Sequence, residues 1–157
     1  MKRSVSLASA AALSANQVAA LETVDLAKLN TAAVNSLTTA AISGLTTVQI
    51  ASLTTAQVVA LGTDQVKQLG TAQIASLTTA QAAALTSDQV SVMSTAQVAN
   101  ITTADIAKLS TSAIVVLNSA QSKFLTTGQL AALTTAQVAA LSTTSATILS
   151  SAQVAAI

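Results

Sequence analysis

Large aliphatic residues recur at every eighth position along this chain. The series starts at Leu13 and ends at Ile157 without an insertion or deletion. Leucine occupies every position of the series except Met93, Ile101 and Ile157. A fixed period of this kind indicates a repeat architecture, in which each unit buries its apolar face against its neighbours.

Each eight-residue unit has a second aliphatic position and a polar stretch. With the recurrent leucine as position 1, position 6 is aliphatic except at Ala82, Ser122 and Ala146. Positions 2 and 3 are mostly serine or threonine, position 5 is most often glutamine, and positions 4, 7 and 8 are mostly small. The consensus is Leu-Thr-Thr-Ala-Gln-Val-Ala-Ala.

The period of eight disfavours both a continuous helix and a simple strand. Eight helical residues advance by about 800°, so the leucines would drift around a helix by about 80° per unit. In a strand, positions 1 and 6 would face opposite sides because they differ in parity. A short helix followed by a turn fits better.

The polar positions predict where each short helix begins. Thr at position 2 and Gln at position 5 form the capping-box pattern Thr-x-x-Gln, although position 3 is an alternative N-cap. Positions 6 and the next 1 are three apart and share a helix face. The sequence therefore predicts an all-α solenoid or superhelix of very short helices, one per repeat, with Leu and Val inside and Thr and Gln outside. A β-solenoid is the alternative, because Thr, Val and Ile are common in strands.

The few charges fit the same helix direction. Three acid–lysine pairs lie three residues apart, with the acid in the predicted first turn and the lysine in the last, which suits the helix dipole. They are Asp25 with Lys28, Asp64 with Lys67, and Asp105 with Lys108. Gly62 and Gly70 at position 2 suit a junction between two helices.

The predicted domains are an N-terminal segment, 1–12, with a degenerate first repeat, and an octapeptide-repeat solenoid, 13–157. Met1-Lys2-Arg3 and the apolar run from Val5 to Leu13 resemble a short signal peptide. We favour the repeat, because Val5 and Leu13 are themselves eight apart. The chain stops at a core position, Ile157, without a polar cap, so we expect a longer repeat tract or stacking of its ends.

The composition argues against most kinds of catalytic and ligand-binding site. The chain has no His, Cys, Trp, Tyr or Pro, and charged residues make up 7%. We therefore expect no enzyme activity, no cofactor, no catalytic, cofactor-binding or metal-binding residues and no nucleic-acid partner. No stretch of about 18 residues is continuously apolar, so we expect no transmembrane helix.

Glu22 and Asp25 are interpreted as a solvated helix start. The irregular unit with Ser122, Lys123 and Phe124 is interpreted as a local repacking.

Units such as Leu53-Thr-Thr-Ala-Gln-Val-Val-Ala-Leu61 and Leu133-Thr-Thr-Ala-Gln-Val-Ala-Ala-Leu141 give the chain a family resemblance. It resembles the octapeptide tracts of large bacterial secreted or surface proteins, often labelled adhesin-like or haem-utilisation proteins. The resemblance implies an extracellular scaffold or spacer and transfers no functional residue. The haem label lacks support in the residues, because there is no His, Cys or Tyr to bind iron and both Met are isolated.

These observations predict a structural, self-assembling repeat protein, a subunit of an extracellular or surface fibre. One alternative is an adhesion or binding module that presents a repetitive Thr/Gln face, and another is a passive spacer from a longer surface protein. The expected partners are other copies of the chain, end to end or laterally, and a surface or repetitive ligand. The expected location is extracellular or at the cell surface, with the cytoplasm as the alternative.

Overall fold

The computed structural model describes residues 10–141 and 143–157, and within them the chain forms one short α-helix per repeat. Each helix has four to six residues. The described residues contain no β-strand, so the all-α solenoid is confirmed and the β-solenoid is wrong. Most of the predicted N-terminal segment, residues 1–9 with the signal-like start, lies outside the described residues. The helices are α1 (Ala15–Ala19), α2 (Thr23–Ala27), α3 (Thr31–Ser36), α4 (Thr39–Ser43), α5 (Thr47–Ser52), α6 (Thr55–Ala60), α7 (Thr63–Gln68), α8 (Thr71–Ala75), α9 (Thr79–Ala84), α10 (Ser87–Ser91), α11 (Thr95–Ala99), α12 (Thr103–Ile106), α13 (Thr111–Val115), α14 (Ser119–Lys123), α15 (Thr127–Ala132), α16 (Thr135–Ala140), α17 (Thr143–Thr147) and α18 (Ser151–Val154).

Every helix with a described N-cap begins after the residue at position 2, as the capping box predicts. In α6, the Thr54 side chain accepts a hydrogen bond from the backbone N–H of Gln57, and Gln57 Oε1 accepts one from the N–H of Thr54 at 2.8 Å. The preceding leucine, Leu53, is extended, with φ −62° and ψ 142°. At this junction the two extended residues Leu53 and Thr54 separate α5 from α6, because the hydroxyl cap competes successfully with continuation of the preceding helix.

Three repeats make one turn of the solenoid. Each helix packs against the helices three before and three after it, so that α4 lies between α1 and α7, and α10 between α7 and α13. The helices thus stack in three columns along three sides. Two residues that are 24 apart in sequence occupy the same position of their units. They lie on the same side of the solenoid and are separated by one turn.

The core runs along the solenoid axis and is built from positions 1 and 6. The position-6 residues Ile50, Val58 and Ile74 are at most 1% exposed, and position-1 leucines such as Leu53 are about as deeply buried. The predicted inward direction of Leu and Val is confirmed. Fully burying one such side chain contributes about 1.5–3 kcal/mol, so continuous stacking stabilises units that are too short to fold alone.

Gly62 and Gly70 are N-caps and lie at helix junctions, as predicted. Both have ordinary extended angles, φ −69° and −71°, so neither needs the freedom of glycine. Gly44 is different, because a Cβ there would lie 2.6 Å from Ala15 Cβ. That glycine permits the close approach of the end of α4 to the start of α1.

We expect Gly70→Thr to stabilise the protein. Threonine would supply the missing hydroxyl cap for the N–H of Gln73 and reduce the freedom of the unfolded chain, together by about 1 kcal/mol. The nearest atom to a Cβ at this position is Gln73 Oε1 at 3.5 Å, which is ordinary contact. Urea unfolding followed by circular dichroism measures the change. Gly44→Ala is the opposing control, and equal effects of the two variants would contradict the reasoning.

Candidate functional site

The glutamines at position 5 form a buried row that we call the glutamine ladder. These residues are only 1–7% exposed, which corrects the expectation that Gln lies outside with Thr. The ladder consists of Gln49, Gln57, Gln65, Gln73, Gln81, Gln89, Gln97, Gln121, Gln129, Gln137 and Gln153. The Thr/Gln face of the adhesion hypothesis is therefore a threonine face.

Each ladder amide uses all of its hydrogen-bonding groups. In the ladder, the side-chain Oε1 accepts a hydrogen bond from the backbone N–H of its own N-cap residue, at 2.6–3.0 Å. The amide Nε2 donates to the carbonyl of the position-1 residue 28 positions earlier, at 2.6–2.8 Å. In most units it also donates to the carbonyl 31 positions earlier, at 2.8–3.1 Å. Each ladder residue thus joins the start of one helix to the corner of the previous turn.

The ladder pairs the backbone carbonyls that very short helices leave without a hydrogen-bond donor. The last carbonyls of a helix have no partner inside that helix, and leaving one buried and unpaired costs about 1–3 kcal/mol. An amide has two donors and can serve two such carbonyls. Glutamate could complete the capping box but could not donate. Position 5 holds Gln in twelve of the eighteen units from residue 17 to residue 153, and Asp, Ala or Ser in the others.

Two neighbouring units interrupt the ladder with other side chains. Ala113 is fully buried, and Asp105 is 3% exposed, with its Oδ2 accepting a 2.6 Å hydrogen bond from Thr102 Oγ1. The expected pairing of Asp105 with Lys108 is therefore wrong, because the carboxylate turns into the solenoid. The other two predicted pairs are confirmed, at 3.3 Å for Asp25 with Lys28 and 3.0 Å for Asp64 with Lys67.

The irregular unit contains a matched pair of buried hydroxyls. Ser122 replaces the aliphatic residue of position 6, is fully buried, and donates to Ser145 Oγ at 2.9 Å. Ser145 replaces a ladder glutamine and reaches the carbonyl of Leu117 at 3.3 Å. The neighbouring Phe124 is 56% exposed. The buried serine that replaces an aliphatic residue is thus hydrogen-bonded to a serine that replaces a ladder glutamine in the next turn.

The remaining candidate residues do not converge on a reactive centre. Glu22 and Asp25 are exposed at the start of α2, and Met93 takes the place of a leucine in the core. Among the described residues, no three acidic side chains are grouped closely enough to hold a metal ion. No helix within residues 10–141 and 143–157 is long and apolar enough to cross a membrane.

Part of the exposed surface carries threonine pairs in register. On one edge of the solenoid, four Thr-Thr pairs at positions 2 and 3 follow one another at intervals of one turn. They are Thr54-Thr55, Thr78-Thr79, Thr102-Thr103 and Thr126-Thr127. The first residue of each pair caps a helix through its hydroxyl, and the second is exposed.

Comparison with known proteins gives one family match. The family model of the ALTTAQ repeat matches residues 18–55, 44–79, 58–95, 69–103 and 98–135, which together span more than half of the chain. No curated protein and no solved structure matches the chain. The matched segments contain most of the glutamine ladder, so the motif that defines the family also builds the joints between turns.

Proposed function

We propose that this chain, which belongs to the ALTTAQ repeat family, is a structural rod that assembles with other repeats into an extracellular or surface fibre. The observation that supports this proposal most directly is the ladder. Backbone and side-chain groups in the interior are used to hold one turn to the next. A chain organised in this way provides length and a regular surface.

The low charge of the chain also supports assembly. Charged residues make up 7% of the sequence and the formal net charge is +1, and a net charge near zero favours association.

Negative-stain electron microscopy and sedimentation velocity over a range of protein concentrations test this function. We expect particles whose length increases with concentration while their width stays constant. A protein that remains monomeric at every concentration would contradict the assembly and leave a rigid spacer as its function.

Adhesion to a repetitive ligand is the second candidate, and the aligned threonine pairs favour it. Their spacing repeats once per turn, so a ligand with a regular surface, including ice, could contact several pairs together. Replacing Thr55, Thr79, Thr103 and Thr127 with alanine removes exposed hydroxyls and keeps the N-caps. Thermal hysteresis and binding to insoluble polysaccharide should fall in this variant, and unchanged or absent binding would dismiss the candidate.

A further inference from the structure

One ionisable side chain in the middle of the solenoid is buried without a partner of opposite charge. Asp105, in α12, is 3% exposed, and it is the only buried ionisable side chain among the described residues. Within that part of the chain, the ion pairs are those of Asp25 and Asp64, and none involves Asp105. Because burial of an isolated carboxylate is costly, a positive charge bound beside it would stabilise the fold.

Asp105 occupies a ladder position, so the register of the repeat places the groups that face it. In the neighbouring unit, Gln97 donates from Nε2 to two carbonyls of the previous turn, at 2.8 and 2.7 Å. The carbonyls at the same separations from Asp105 are those of Ile74 and Leu77. Within residues 10–141 and 143–157, no backbone N–H donates to the carbonyl of Leu77. A carboxylate therefore takes the place of a donor beside two carbonyl oxygens.

Thr102 fixes the carboxylate at this place. Its hydroxyl donates to Asp105 Oδ2 at 2.6 Å and accepts the backbone N–H of Asp105 at 3.2 Å. Aspartate is one methylene shorter than glutamine, which sets its oxygens back by about 1.5 Å, to about 4 Å from the two carbonyls. Oxygen ligands lie about 2.3–2.6 Å from an ion of the size of Ca²⁺ or Na⁺, so two ligands about 4 Å apart can share one such ion.

We propose that the carboxylate of Asp105 and the backbone carbonyls of Ile74 and Leu77 bind a sodium ion, which takes the role that the amide nitrogen has in the glutamine ladder. The charge selects a monovalent ion, because one Na⁺ neutralises one carboxylate, whereas a divalent ion would leave a buried net positive charge. Backbone carbonyls at the ends of interrupted helices also coordinate Na⁺ in membrane transporters. Two of the three ligands are backbone oxygens, so composition alone gives no sign of the site.

A water molecule fits the same three oxygens less well. Water has two donors for three acceptors, and it would leave the carboxylate uncompensated inside the solenoid. A bound ion instead joins two turns in the stretch where Asp105 and Ala113 interrupt the ladder. This joint forms equally in a monomer and in a fibre, because all three ligands belong to one chain.

Urea unfolding of the full chain in equal concentrations, about 0.5 M, of sodium chloride or tetramethylammonium chloride tests the site. The anion and the ionic strength are the same, and tetramethylammonium is too large to enter. For a dissociation constant of about 0.1 M, sodium should raise the ratio of folded to unfolded chain about sixfold. Hydrogen exchange followed by mass spectrometry should show slower exchange with sodium in segments 71–78 and 102–109.

Asp105→Gln tests the assignment, because it removes the charge and supplies the ladder donor instead. The stability of this variant should be the same in the two salts. Asp88→Gln, which removes an exposed acid of α10, is the matched control and should keep the full effect of sodium. Broadening of the sodium magnetic resonance signal by the parent chain should likewise persist in Asp88→Gln and be lost in Asp105→Gln.

Three results would each overturn the proposal. The first is equal stability of the parent chain in the two salts. The second is an equal effect of sodium on the parent chain and on Asp105→Gln, which would place the ion elsewhere. The third is stabilisation by Ca²⁺ or Mg²⁺ without any effect of Na⁺, which would contradict the matching of charge.

Discussion

Gln81→Ala is expected to destabilise the solenoid by roughly 3–5 kcal/mol, because it leaves several buried backbone groups unpaired. Gln81 is 1% exposed, donates to the carbonyls of Ile50 and Leu53 at 2.8 and 2.7 Å, and accepts from the N–H of Thr78 at 2.8 Å. All three partners would lose a hydrogen bond, and the amide volume would be left empty. Urea unfolding of the full chain measures the loss.

Gln17→Ala is the matched control for this prediction. Gln17 completes the same capping box with Ser14 but is exposed. Because only a solvent-accessible hydrogen bond is lost, we expect a change of about 0.5–1 kcal/mol. Gln81→Glu separates capping from the ladder, since glutamate can accept but not donate. If Gln81→Glu were as stable as the parent chain, or if Gln17→Ala were as damaging as Gln81→Ala, the ladder would not be the main joint between turns.

Asp105→Gln is expected to stabilise the protein by roughly 2–3 kcal/mol, because it adds ladder hydrogen bonds in one of the units that lack them. Ile74 lies 31 positions before residue 105, and Leu77 lies 28 positions before it. Ladder glutamines donate to carbonyls across these two separations, as Gln97 does over 31 positions and Gln121 over 28. A carboxylate cannot donate to a carbonyl, and its burial without a cationic partner is costly. A shift of the unfolding midpoint to higher denaturant measures the gain.

Asp105→Asn and Asp88→Gln give the controls for this substitution. Asparagine removes the acid but is one methylene too short to reach both the N-cap and the previous turn, so it should recover only part of the gain. Asp88 is exposed in the first turn of α10, and Asp88→Gln there should change stability by less than about 0.5 kcal/mol. An Asp105→Gln variant less stable than the parent would contradict the inferred geometry.

Local sequence was enough to predict the helices and their inner face. The Thr-x-x-Gln capping box, the three-residue spacing of positions 6 and 1, and the period of eight each act within one unit or between adjacent units. They predicted helices that begin after position 2 and bury residues such as Val58 and Leu61, and the structure confirms both. The exposed ion pairs of Asp25 and Asp64 follow from the same local geometry.

The direction of the glutamines and the number of repeats per turn were decided only by the tertiary structure. Glutamine is mostly exposed in proteins, and its role in the capping box already explained its presence at position 5, so nothing local indicated burial. Its amide turns inward because the carbonyls that need donors lie about one turn away, 28 and 31 residues earlier in sequence. The available hint was the recurrence of glutamine at a position where the capping box accepts glutamine or glutamate, because only glutamine can also donate.

The same reason explains Asp105 and Ser122. Read within its own unit, Asp105 lies three residues before Lys108 and favours an ion pair, and Ser122 is an isolated defect. In the folded chain, position 5 faces the previous turn, and Asp105 is buried because it occupies that position. Ser122 donates a hydrogen bond to Ser145 in the next turn. The repeat sequence by itself determined the unit and its inner face, whereas hydrogen bonds between turns decided how the units are joined, because their donors and acceptors meet only after the chain has completed a turn.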